Sequence, residues 1–345
     1  MAALYIFQQL LSLLLVSKFR RFYAPISIII FFIIFIFKED SFDLVMYEEI
    51  VSHATRYEYL FAILIDLISS QIQNDRIVIT VYQIIYLMLA SSIVFFFRDS
   101  NYKFLILAVI FSSVAIMLGL HNNLRQGLAS IFILIGILSY IHGYKLIGFF
   151  LPFLSLGFHK SSFLFIILIY TVCFIFSILY KELKNDKKHQ VMLKNYFVAI
   201  LLSALIALAI VNLIFLVDYL TILNTNYINY YMKDNEYGEF RTNLTNKYLL
   251  ILFLIIITEY FMKFKSIEFK IDLFRFLRLF ILLLCFFISF SSGFSEISNR
   301  IFYLYYVIEM GLLCFLISNK FFNSSTVILC AYAFAFNIWN ILGGV

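Results

Sequence analysis

Residues 107–141 read LAVIFSSVAIMLGLHNNLRQGLASIFILIGILSYI: two apolar runs with the polar stretch His121-Asn122-Asn123-Leu124-Arg125-Gln126 between them. Each run approaches the roughly 20 residues that a helix needs to cross hydrocarbon. A guanidinium within hydrocarbon is costly, so the polar stretch reads as a turn at a membrane face. Apolar runs broken by short polar turns recur from one end of the chain to the other, and they decide its class. Of the 345 residues 63% are hydrophobic and only 13% charged, with a mean hydropathy of +0.97. A soluble domain of this size could not cover so much apolar surface, so the chain is an integral membrane protein, read as a single membrane domain over residues 1–345. Leu4–Val16 reads as a retained first span, not a cleaved signal. The net charge of +6 does not point to nucleic acid, because the basic residues sit mostly in short loops. Cys173, Cys285, Cys314 and Cys330 all fall in apolar runs without metal-ligand spacing, and no disulfide is expected.

Hydropathy with charge and turn breaks predicts twelve transmembrane helices, near 3–17, 22–37, 77–97, 104–120, 127–142, 145–158, 162–180, 195–217, 248–262, 279–293, 301–317 and 325–342. Pro152 should kink or interrupt its helix near the middle. The segments 181–194 and 263–278 each hold five basic residues and are assigned to the cytoplasm. Alternating outward from them puts 17 of the 26 Lys and Arg inside. Residues 55–73 (TRYEYLFAILIDLISSQIQ) are apolar at first and polar later, and read as an interfacial or re-entrant helix on the outer face. The first outer segment is then 38–76 and the large outer loop 218–247.

Nine basic residues fall outside against the charge bias, and their cost suggests that some serve function. Arg125, flanked by Asn122 and Gln126, opens an apolar helix, where free N–H groups and a guanidinium together suit an anion. The plain alternative is an arginine snorkelling to lipid headgroups. Arg300, preceded by Glu296 and Asn299, is expected to repeat that geometry, with Tyr303 behind it for sugar contact. His159, Lys160 and Ser161 form an outer turn suited to acid–base work or phosphate contact, or simply a polar turn. The first outer segment offers Asp43, Tyr47 and Glu58, and carboxylates with tyrosines suit sugar hydroxyls and ring faces, as they also suit a solvated acidic loop. The large loop carries five tyrosines among asparagines, with Arg241 near its end, as a lid over carbohydrate would. Arg76 and Lys247 read as snorkelling or solvated, and Glu259 and Glu309 as structural. There is no zinc ligand set, Walker loop, Gly-rich nucleotide loop or Asp-x-Asp pair, so nucleotide-sugar chemistry and a metal-held diphosphate are unsupported. Arginines, a histidine, carboxylates and tyrosines on one face match an amphiphile with a lipid tail, a diphosphate and sugars.

Asn-x-x-Arg-Gln-Gly-Leu-Ala (Asn122–Ala129), Phe-His-Lys-Ser-Ser (Phe158–Ser162) and Asn-Arg-Ile-Phe-Tyr-Leu-Tyr-Tyr (Asn299–Tyr306) resemble the EpsG-like branch of bacterial O-antigen and exopolysaccharide polymerases, the Wzy class. Glu58-Tyr59-Leu60-Phe61 stands where that family tends to have Glu-Pro-x-Phe; the proline is missing, as is a Gly/Arg element before Asp43. The resemblance implies a GT-C-like helical bundle of about twelve transmembrane helices. It also implies a metal-independent, cofactor-free glycosyltransferase in the inner membrane, working on its periplasmic side. Its substrate would be an oligosaccharide linked to undecaprenyl diphosphate in the lipid bilayer, with a chain-length regulator protein as a further partner and no nucleic acid. The growing glycan would move to the non-reducing end of a new lipid-linked repeat unit. Arg125 and Arg300 would steady the leaving diphosphate. The general base would be His159, with Asp43 or Glu58 next, and Asn122, Gln126, Lys160, Ser161, Arg241, Tyr47 and Tyr303 would hold substrate. The rival classes are a lipid-linked oligosaccharide flippase or other transporter, and an O-antigen ligase or membrane acyltransferase. A transporter would favour charges deep within broken helices, whereas this chain gathers its polar groups at one face.

Overall fold

The computed structural model describes residues 7–8, 20–36, 51, 58–97, 103–121, 124–159, 162–183, 188–219, 238–261, 269–292 and 295–318. Among these there are helices and no strands. In chain order they are α1 (Arg20–Ile36), α2 (Tyr59–Ser69), α3 (Asp75–Ser92), α4 (Lys103–Ser112), α5 (Val114–His121), α6 (Leu124–Ile141), α7 (Lys145–Leu154), α8 (Ser162–Leu183), α9 (Lys188–Tyr219), α10 (Gly238–Phe261), α11 (Phe269–Ser292) and α12 (Ser295–Ser318). Short 3-10 turns extend α3 (Ile93–Phe96) and α7 (Ser155–Gly157).

Four stretches among the described residues are long and apolar enough to cross a membrane: Asp75–Phe96, Leu124–Ile141, Phe269–Phe290 and Ile297–Ser318. The bent pair α4–α5 makes a fifth, and six shorter apolar helices of 10–17 residues accompany them. The protein is thus an all-helical, multi-pass membrane protein over its described part. Ten of the expected spans coincide with a helix, while 3–17 and 325–342 lie outside the described residues, apart from Phe7 and Gln8. Among the described residues, membrane-length helices number four, or five with the bent pair.

The span expected over 104–120 is bent by 56°. Its cause is the pair Ser112-Ser113. Ser112 Oγ donates back to the Ala108 carbonyl at 2.6 Å, and Ser113 Oγ accepts from the Ile116 N–H at 3.4 Å, capping α5. Two carbonyls along α5 are engaged by α3: Tyr86 Oη donates to Ala115 O at 3.2 Å and Gln83 Nε2 to Leu120 O at 2.8 Å. Backbone polar groups in hydrocarbon need such partners, so the break is built in.

The described residues fall into two compact units, one running through Leu168 and resuming at Met310, the other Ile169–Glu309. In the first unit α6 and α7 form a tight hairpin turning at Gly143, whose φ of 93° suits glycine. A methyl group on Gly136 would collide with the Pro152 ring, and one on Gly148 with the Tyr140 backbone, so small residues set how closely the two helices approach. Pro152 does not interrupt its helix midway; it sits near the end of α7, which tightens into the 3-10 turn only at Ser155. Its ring packs against Gly136.

In the second unit the loop expected over 263–278 is corrected. From Phe269 it is helical, and Arg278 on α11 is fully buried. Its neighbours Ile271, Phe274 and Leu277 are buried with it, and this 3.6-residue period outweighs the local charge density. Arg275 pairs one turn back with Asp272 at 3.0 Å, and Arg278 lies 3.7 Å from Glu309, which also accepts from Tyr305 Oη at 3.1 Å. Lys188–Lys194, likewise expected in a loop, is the start of α9. The expected loop 218–247 contributes its last ten residues to α10, Arg241 among them, while 220–237 lie outside the described residues.

A buried ion pair adds little net stability, but removing one partner strands the other charge, at a cost of about 3–5 kcal/mol. Arg278→Met should therefore lower the unfolding temperature of detergent-purified protein sharply, and adding Glu309→Leu should restore most of the loss. Equal melting of the single and double variants would contradict the pairing.

Candidate functional site

In the first unit three motifs far apart in sequence meet around the start of α6. Glu58 immediately precedes α2, at φ −63° and ψ 141°, and its side chain does not cap the helix. It reaches instead to Arg125, the second residue of α6: Arg125 Nη1 donates to Glu58 Oε2 at 2.7 Å. Phe61, three residues on, lies on the same face of α2. Its ring centroid is 5.5 Å from the guanidinium carbon, within cation–π range. Phe61 is fully buried and set edge-on to Tyr82 of α3 at 5.4 Å. The α2–α3 hairpin that carries these groups closes where Asn74 caps α3, accepting from the Ile77 N–H at 3.1 Å. Glu58 therefore neutralises Arg125, and Phe61 fixes the plane of its guanidinium. The side chain of Arg125 keeps 21% of its surface exposed, against 9% for Glu58.

The His159 turn completes the cluster. Gly157 lies so close to Leu60 of α2 that a side chain there would collide with it. Phe158 stacks on Phe132 of α6, with centroids 5.4 Å apart and planes 13° apart. His159 N–H donates to Ser155 O at 3.0 Å, and His159 O accepts from the N–H of Ser162, the first residue of α8, at 3.0 Å. The half-buried His159 thus sits on a turn fastened to both α2 and α6.

Of the expected site residues, Glu58 and Arg125 are in direct contact and His159 stands on the turn fastened to α2 and α6, with Gln126 buried beside Arg125 in the first turn of α6. Asp43, Tyr47, Asn122, Lys160 and Ser161 lie outside the described residues. Arg241 is helical. Arg300 does not repeat the position of Arg125: α12 begins at Ser295, so Arg300 is already in the second turn, past the N–H groups that a helix start leaves open. Tyr303 is buried, and Phe302 stacks on Tyr305 at 5.1 Å, so the late aromatic motif forms packed core in the second unit. Lys247, expected to be solvated or snorkelling, lies with Nζ 5.3 Å from the Phe302 ring centroid; an aromatic face holds it. Arg76 is exposed, as expected.

Sequence reasoning placed Phe61 in a motif without giving it a role, and gave none to Gly157. Phe61 had a readable signal, standing three residues after Glu58 on one helix face. The close approach of Gly157 to Leu60 and the stack of Phe158 on Phe132 depend on tertiary contacts and had none. Among the described residues no three His, Cys, Asp or Glu are placed to hold a metal ion. The chemical capacity of the Glu58–Arg125–Phe61 group is anion recognition by an aromatic-backed, partly exposed guanidinium, and the imidazole of His159 stands on a turn packed against the same two helices.

A family model described as the EpsG family matches residues 21–343, which takes in both units and every residue of the cluster. No curated protein and no solved structure matches the chain.

The convergence can be tested without an activity assay. Gly157→Ala should lower the unfolding temperature of detergent-purified protein, because its methyl group would collide with Leu60, and Leu60→Gly combined with it should recover part of the loss. Unchanged melting of Gly157→Ala would show that the His159 turn does not rest on α2.

Proposed function

The chain belongs to the EpsG family, and on that premise we propose that it is a glycan polymerase of the Wzy class in the bacterial inner membrane, with its site on the periplasmic side. The donor is a growing polysaccharide on undecaprenyl diphosphate, and the acceptor is the non-reducing end of a lipid-linked repeat unit. The acceptor hydroxyl oxygen attacks C1 of the donor sugar joined to the diphosphate. The C1–O bond to phosphate breaks, the hydroxyl proton passes to His159, and undecaprenyl diphosphate leaves with the bonding electron pair. A protein chain-length regulator is a natural further partner.

The observation that carries this reading is Arg125, held at 2.7 Å by Glu58 and backed by Phe61 at the head of α6, with the His159 turn fastened alongside. A leaving diphosphate needs charge stabilisation at a fixed point, which a guanidinium at a helix start supplies through its fork and the local N–H groups. An attacking hydroxyl needs a base whose proton affinity suits neutral pH, and imidazole has it. In this reading the arginine takes the place that a divalent cation has in other diphosphate chemistry, so the enzyme needs no metal.

The test is polymerisation of purified lipid-linked repeat unit in nanodiscs. Arg125→Ala should lower the rate by about 10²–10³, the scale of losing a transition-state charge donor. Arg125→Lys should keep part of the activity, since it supplies charge without the fork. His159→Ala should cost about 10²–10⁴, and chelator should change nothing. Normal product ladders from both Arg125→Ala and His159→Ala, or a strict requirement for added divalent metal, would overturn the proposal.

A further inference from the structure

We propose that Glu58 is an internal stand-in for the substrate's diphosphate: it occupies the Arg125 fork when the site is empty, yields it to the lipid diphosphate, and returns to expel the diphosphate product. This rests on the reading that Arg125 receives the diphosphate.

Arg125 has two supports of different kinds. Phe61 is uncharged, fully buried and braced by Tyr82, so it keeps the guanidinium in place whatever anion faces it. Glu58 is charged and sits just ahead of the first turn of α2, with a side chain not engaged in capping. Its carboxylate oxygen lies 2.7 Å from Nη1, the short charge-assisted distance that a phosphate oxygen also adopts. An anion arriving at the fork thus competes with Glu58 and not with Phe61.

The charges set the direction of exchange. With the site empty, a guanidinium next to hydrocarbon needs a counter-ion, and Glu58 supplies it. A lipid-linked diphosphate brings more negative charge than one carboxylate, and can outcompete it. Inorganic monophosphate or a simple carboxylate has less advantage, so the exchange selects for diphosphate. Glu58 competes with the released diphosphate as it does with the donor, and so weakens the hold of Arg125 on the product relative to a fork with no counter-ion. Glu58 is then a positioning and selectivity residue that acts through Arg125.

The probe is inorganic pyrophosphate, with inorganic phosphate as comparison, titrated calorimetrically into the full-length protein in nanodiscs. Glu58→Gln keeps the shape and one acceptor oxygen but removes the competing charge. It should bind pyrophosphate about ten-fold more tightly than wild type, and the preference over phosphate should narrow. Glu58→Asp retains the charge on a side chain one methylene shorter, and should show a smaller gain; it carries the test if Glu58→Gln does not accumulate. A purely structural Glu58 would give weaker binding in both variants, because Arg125 would lose its place. Arg125→Ala separates the two levels of the argument. If it abolishes pyrophosphate binding while the Glu58 variants bind no better than wild type, the stand-in role is overturned and the Arg125 reading stands. If Arg125→Ala binds as wild type does, or no form binds, the Arg125 reading falls and the inference with it.

Discussion

A guanidinium beside hydrocarbon must find a counter-ion, and the arrangement of the first unit follows from how Arg125 finds Glu58. The pair joins residues 67 positions apart at 2.7 Å. It fixes where α2 lies relative to α6, and so puts Phe61 under the guanidinium. With α2 in that place, Leu60 meets Gly157, and the turn carrying His159 has one position to take. The ion pair joins two of the polar motifs directly, and the glycine contact sets the His159 turn against the same helix α2.

The rest of the first unit keeps the head of α6 in place. The hairpin of α6 and α7 closes on Gly136, Gly148 and Pro152, which allow a backbone approach that larger side chains would block. On the other side, the serine break between α4 and α5 turns the chain by 56° just before Arg125. Gln83 and Tyr86 of α3 engage the α5 carbonyls, tying the same segment to the α2–α3 hairpin that carries Glu58. The second unit has its own buried charge pair, Arg278 with Glu309, set among the packed aromatics of α12.

Much of this was legible in the sequence, and the misreadings share a cause. Apolar runs mark helix positions because burial in lipid and burial in protein demand the same composition, so nearly every expected span in the described residues found a helix. For the same reason hydropathy cannot tell how many of those helices are membrane-length, and the described residues hold four, or five with the bent pair. Glu58, Arg125 and His159 stood out because charge beside apolar sequence is costly. Arg278 was misassigned because its segment holds five basic residues, a local density that hides the helical period of Ile271, Phe274 and Leu277. Arg300 looked like a second Arg125 because both precede apolar runs. The polar residues from Ser295 onward are helical too, and helix starts in polar sequence leave little mark on hydropathy. The α4–α5 break rests on two serines in an apolar run, whose hydroxyls satisfy their own backbone without any local polar signature.

The most direct measurement is a cryo-EM structure of the full-length protein in nanodiscs with undecaprenyl-diphosphate-linked repeat unit bound. The account predicts diphosphate density against the Arg125 guanidinium, Phe61 still beneath it, Glu58 turned away, and the sugar next to the phosphate facing the His159 turn. Diphosphate density bound elsewhere, with the Glu58–Arg125 pair intact, would contradict it.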